Sequence, residues 1–156
     1  MPYFLYASFP NSRVKPRAAT QSANTYQIQL SDVTQPLTQI AVPNANRTYI
    51  MLKNLSTSTS LWYVYANIVH VNPSLVPTLG VPMQILYNPA TNELWQKQDD
   101  GETTNWLLVT IDLVGESIDP LQTASLDQIN DFIYASAASN VPVAPAVLVG
   151  VDEGRG

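Results

Sequence analysis

The stretch Asn44–Asn67, NANRTYIMLKNLSTSTSLWYVYAN, constrains the fold more than any other part of the chain. It holds two alternating runs, Thr48–Lys53 and Leu61–Tyr65, joined by a connector made almost wholly of Ser and Thr. In the first run Tyr49, Met51 and the stem of Lys53 point one way, and Ile50 and Leu52 the other. The second run is aromatic, with Trp62, Tyr63 and Tyr65 around Val64. Period-two patterning, β-branched and aromatic enrichment and a turn-forming linker predict two neighbouring antiparallel strands.

The same signal recurs along the chain. Tyr26–Leu30, Leu37–Val42, Gln84–Tyr87, Glu93–Gln98 and Asn105–Leu113 each read as a short strand. Turns carrying Pro, Asn, Asp or Gly separate them, including Asn88–Asn92 and the acidic Asp99–Glu102. Seven or eight strands with turn signals every 8–12 residues predict an all-β fold. The expected form is an antiparallel β-sandwich, jelly-roll-like, over residues 26–116. Residues 66–83 hold Pro73, Pro77 and Pro82, too many prolines for interior strands.

The sandwich is expected to carry two appendages. Residues 1–25 mix Pro2, Pro10 and Pro16 with polar residues and read as an extended arm. Its Tyr3, Phe4, Tyr6 and Phe9 are costly to leave in water, so they and the basic Arg13 and Arg17 become docking candidates. Residues 117–156 are expected to form a helix and an extended tail. Ser125 and Gln128 fit a capping box, and Leu126, Ile129, Phe132 and Ile133 form one apolar stripe. That stripe needs the sandwich or another subunit to cover it, which makes Leu126, Ile129 and Ile133 interface candidates. Ala146–Val151 reads as a strand added to an exposed edge.

Charge excludes several function classes. Charged residues are 12% of the chain, half of what an ordinary soluble domain carries. A neutral polar surface suits a protein packed against others. Up to residue 92 five basic residues oppose one acid (+4), and from Glu93 onward two oppose eleven (−9), so the halves complement each other across an interface or stand as solvated faces. No basic stripe suggests a nucleic-acid partner. No apolar run is long enough for a membrane span, and the start lacks the basic flank of a signal peptide. With no cysteine there is no disulfide framework or thiolate metal site.

Chemistry is hard to find. His70 is the sole histidine, sits between valines, and lacks the context of a nucleophile triad. No glycine-rich phosphate loop is present. Asp99, Asp100 and Glu102 miss the alternating spacing of a calcium loop. Neither a catalytic residue nor a metal or cofactor is expected. Two readings stand for Trp62, Trp95 and Trp106: a sugar-stacking platform, or filling of the core or a subunit interface.

Asn46-Arg47 opening a strand, Asn54 and Ser56 ending it, and Val64-Tyr65 ending the next resemble a small β-sandwich module of tailed-bacteriophage virion proteins: head decoration or auxiliary capsid proteins, head fibres and some tail proteins. The strands at Glu93–Gln98 and Asn105–Asp112 are similar to the hairpin that closes that module, so the resemblance covers roughly residues 36–114. The Asn67–Pro82 connection is longer than the family's brief loop. On the residues alone, Asn46 suits a sharp corner, Arg47 ties that corner to a carboxylate or a strand carbonyl, and Asn54 caps the strand exit, unless all three are ordinary turn residues.

The resemblance implies a non-enzymatic virion structural protein, made in the host cytoplasm and placed on the capsid surface or an appendage. Its expected partners are copies of itself, a trimer foremost, and other virion proteins such as the major capsid protein. Arg47 joins the interface candidates on this reading. The alternative is a receptor- or carbohydrate-binding module of a phage fibre or tail.

Overall fold

A computed structural model describes residues 23–71, 80–98, 106–126 and 130–152. Twelve strands and one short helix are found there. They are β1 (Ala23–Gln29), β2 (Thr38–Ala41), β3 (Tyr49–Asn54), β4 (Leu61–Ala66), β5 (Ile68–Val69), β6 (Ile85–Asn88), β7 (Glu93–Lys97), β8 (Trp106–Val109), α1 (Ile111–Val114), β9 (Glu116–Ile118), β10 (Thr123–Ser125), β11 (Phe132–Ala137) and β12 (Ala146–Asp152). They form three four-stranded sheets, ordered β1-β12-β3-β10, β2-β11-β4-β9 and β5-β6-β7-β8. All pairings are antiparallel except β5 with β6. The all-β class expected from the alternating runs is the class observed, with more strands and a third sheet.

Two cores separate three layers. Ile50 and Leu52 of β3, Val147, Val149 and Val151 of β12, Leu61 and Tyr63 of β4 and Ile133 and Ala135 of β11 fill the gap between the first and second sheets. Val64, Ala66 and Tyr134 of the second sheet meet Ile85, Tyr87, Leu94 and Val109 of the third. The middle sheet is therefore covered on both faces: β11 is buried at five of its six positions and β4 at four, with Trp62 and Tyr65 partly exposed. A strand buried on both faces needs apolar residues at both parities, which the unbroken run LWYVYA supplies.

The same requirement explains the missing C-terminal helix. Phe132–Ala137 is β11, paired with β2 on one side and β4 on the other, while residues 127–129 lie outside the described part. Phe132 and Ile133 do fall on a helical stripe with Leu126. Yet apolar Phe132 and Tyr134 face the third sheet, and Ile133 and Ala135 face the first. Periodicity alone does not separate such a strand from a buried helix. Ile133 is fully buried and Leu126 almost so, both within the chain's own first core.

Two further expectations are corrected. Ala146–Asp152 is not added at an edge, because β12 lies between β1 and β3, in register with β1 over its whole length and with β3 from Val147 onward. Its Val147, Val149 and Val151 supply the alternating face that this position buries. The predicted strand Asn105–Leu113 stops at Val109. At Thr110 the chain turns into α1, and Gly115 lets it pass under β4: a Cβ there would stand 2.5 Å from the Tyr63 carbonyl oxygen and 2.6 Å from that of Ile111.

Asn67 joins the second and third layers where β4 runs into β5. Its Oδ1 accepts from the Ile85 amide at 3.0 Å, and its Nδ2 donates to Asp131 at 3.0 Å. Burial pushes the Asp131 carboxyl above its ordinary value.

Candidate functional site

Tight packing between the second and third sheets ends at Val64. One alternation earlier on the same face comes Trp62, whose cross-strand partners are Ser136 on β11 and Ser117 on β9. Sheets stack about 10 Å apart, so a row of two serines flanking one indole leaves the interlayer gap unfilled. A cleft of about 600 Å³ opens there. Trp62, Ser136 and Ala138 form one wall, Glu93, Leu94, Leu108 and Val109 of the third sheet the other, and the β1–β2 loop and the start of α1 its ends.

The ends of the cleft are held by hydrogen bonds. Asn92 sits at φ 56°, a left-handed conformation that Asn tolerates, on the turn between β6 and β7. Its Oδ1 accepts from the Leu37 amide at 2.7 Å and from the Tyr87 hydroxyl at 3.0 Å, and its Nδ2 donates to the Gln35 carbonyl at 3.3 Å. The β1–β2 loop is thereby fastened to the third sheet. Within that loop Asp32 accepts from the Thr34 hydroxyl and the Thr34 amide, which together hold its carboxyl below the usual carboxylate range. At the opposite end the Thr110 hydroxyl donates to Asp112, and on β7's start Glu93 accepts from Thr91 at 2.8 Å.

The three tryptophans part company. Trp62 lines the cleft. Trp95 lies on β7 one residue from Leu94 and so faces away from the middle sheet, and its buried Nε1 has no hydrogen-bond partner among the described residues. Trp106 is buried, with the Lys97 ammonium 5.2 Å from its ring centroid. The three indoles do not share one face, and of them Trp62 alone lines the cleft.

The strand-end residues of the central stretch turn inward. Asn54 is fully buried: its Nδ2 donates to Thr59 O at 2.8 Å and Ile118 O at 2.9 Å, and its Oδ1 accepts from the Ser56 amide at 2.9 Å. It caps the β3 exit as expected. Arg47 is 4% exposed and donates through Nη2 to Val42 O at 2.9 Å, tying the corner between β2 and β3. The corner itself is turned by Asn44 rather than Asn46, since Asn44 Oδ1 accepts from the Asn46 amide at 2.9 Å. Arg47 thus acts inside the fold and offers no exposed surface to a partner.

Tyr3, Phe4, Tyr6, Phe9, Arg13, Arg17 and Ile129 lie outside the described residues, as does the Asp99–Glu102 turn. His70 is half-buried and takes its backbone position from a 3.0 Å bond to Tyr87 O. No group of three metal-ligating side chains occurs among the described residues. Gln35, Asn92, Glu93, Asp112 and Ser136 were not foreseen as site residues. Asn92 had a readable signal in its Asn-Pro-initiated turn, whereas Asp112 was hidden by the strand expected to run through Leu113.

No family model and no curated protein matches the chain.

Proposed function

We propose that the chain is a non-enzymatic structural protein of a tailed-phage virion that packs against copies of itself and against the shell. One observation carries the self-assembly. Among the described residues, strand β8 forms the edge of the third sheet, pairs with β7 without a bulge, and reads Trp-Leu-Leu-Val with no charge or proline. Leu107 and Leu108 are 53% and 51% exposed, and Leu113, just beyond, is 75% exposed. Natural edge strands are blunted by charges, prolines or bulges, and an apolar unblunted edge is a template for a second chain. A second copy covering it removes this apolar surface from water and extends the sheet.

The virion assignment and a jelly-roll-like relation of the first two sheets belong to the same reading, supported by the Asn46-Arg47, Asn54 and Val64-Tyr65 pattern and the low surface charge. Sedimentation velocity on the full chain tests it. An oligomer is expected, a trimer foremost, dispersed by Leu107→Lys, which lies outside the cleft lining. A monomer at all concentrations overturns the proposal.

A second reading, a receptor- or carbohydrate-binding module of a phage fibre or tail, is favoured by the half-buried Trp62 in the cleft.

A further inference from the structure

We infer that the inter-sheet cleft binds a neutral, hydroxyl-rich ring, a pyranose free or within a glycan. The inference rests on and deepens the second reading above, and is tested separately from assembly through β8. Four features of the cleft set the ligand class. Its volume of about 600 Å³ falls within the range of small-molecule sites. Its wall carries one indole whose cross-strand neighbours, Ser117 and Ser136, are too small to cover it. The π-face of an indole accepts a ring with polarised C–H bonds, as the axial face of a sugar presents.

The polar groups supply the third feature. Glu93 and Asp112 each have one carboxylate oxygen engaged by a threonine hydroxyl, and the other oxygen has no hydrogen bond among the described residues. Such oxygens accept from hydroxyl groups with charge-assisted strength. The fourth feature is that the described residues of the lining include no Lys, Arg or His, which sets two negative charges against any phosphate, sulfate or carboxylate. Wholly apolar ligands are disfavoured because they strip water from both carboxylates without replacing its hydrogen bonds.

The cleft's rigidity adds to the case. Asn92 fixes the β1–β2 loop by two hydrogen bonds and is itself held by the Tyr87 hydroxyl of β6, so the walls are set before a ligand arrives and little ordering cost falls on binding.

Nuclear magnetic resonance titration of the full chain tests the inference through the three indole N–H signals. The probes are methyl β-glucopyranoside, methyl β-galactopyranoside, N-acetylglucosamine and cellotetraose, each to about 50 mM, where a ligand of millimolar Kd saturates. The Trp62 signal is expected to shift with at least one probe while those of Trp95 and Trp106 stay in place. A shift with cellotetraose alone assigns the site to a ring within a chain; a shift with a monosaccharide assigns it to the single ring.

Trp62→Ala is expected to weaken binding about tenfold or more, and Trp62→Phe, which keeps an aromatic face, to retain most of it. Ala138→Leu narrows the cleft from a partly exposed position and is expected to abolish the shift in a folded protein. Three results overturn the inference: no Trp62 shift with any probe, a shift that survives Ala138→Leu, or a Trp62 shift with tetramethylammonium but with none of the sugars. Each leaves the sedimentation behaviour of the chain unaffected, so the two proposals fail separately.

Discussion

Replacing Asn54 by Ala removes three hydrogen bonds from a position with no solvent access. The Ile118 carbonyl, on a residue only 3% exposed, loses its Nδ2 donor outright. A buried polar group left unsatisfied costs about 1–3 kcal/mol. The Thr59 carbonyl and the Ser56 amide belong to partly exposed residues and regain water, so each adds roughly 0.5–1 kcal/mol. The sum is about 2–5 kcal/mol, a large share of the 5–15 kcal/mol typical of a whole domain. For a chain of this length it corresponds to a fall in Tm of roughly 4–20 °C. Urea unfolding followed by circular dichroism is expected to show a lower midpoint with an unchanged slope. Asn54→Asp sharpens the test. It keeps the acceptor for Ser56 but sets a carboxylate against two carbonyl oxygens now 2.8 and 2.9 Å from Nδ2. The folded state then favours the protonated acid, so its pKa rises above the unfolded value near 3.9. Stability is fully present below that value and is lost as pH rises through the folded pKa. Asn54→Asp is therefore expected to be no better than Asn54→Ala at pH 7 and to recover relative to it in acid. A loss under about 0.5 kcal/mol for Asn54→Ala, or an Asn54→Asp protein that matches wild type at pH 7, refutes the reasoning.

The remaining predictions concern packing and pH. Gly115→Ala places a methyl group against two backbone oxygens, so β4 or α1 must move, and a destabilisation of about 1–3 kcal/mol is expected in the same urea assay, with the α1 end of the cleft displaced. Burial raises the pKa of Tyr63, Tyr87 and Tyr134, with Glu116 adding to it at Tyr63 and Tyr87 at Tyr134. For a raised pKa the stability is intact below the unfolded value near 10 and is lost as pH rises beyond it toward the folded value. Absorbance titration at tyrosinate wavelengths is therefore expected to show these three ionising late and together with unfolding, and tyrosines that all titrate near 10 in a folded protein contradict it.

How much of this was legible in the sequence follows from which signals are local. Ile50 and Leu52 against Tyr49, Met51 and Lys53 is a one-sided pattern, and β3 buries one face as that pattern dictates. The capping role of Asn54 also rests on near neighbours, Ser56 and Thr59. The third layer was not legible, because a strand covered on both faces carries no parity signal. LWYVYA read correctly as a strand through its aromatics, but FIYASA, with two alanines and a serine, read as a helix continuing from Leu126. Strands β9 and β10 are three residues each, too short for any period. The cleft is a negative feature: it exists where Ser117 and Ser136 stand beside Trp62, and their positions follow from long-range register. Nothing near Trp62 in the chain distinguishes it from the buried Trp106.

Amide hydrogen exchange across the whole chain tests the layered architecture most directly, since the cleft and the apolar edge both derive from a middle sheet buried on two sides. The amides of β4 and β11 that bond across their shared ladder are expected to exchange only through global unfolding, and those of the edge strands β1 and β9 by faster local opening. Fast exchange throughout Phe132–Ala137, alongside strong protection of β9, would contradict the account.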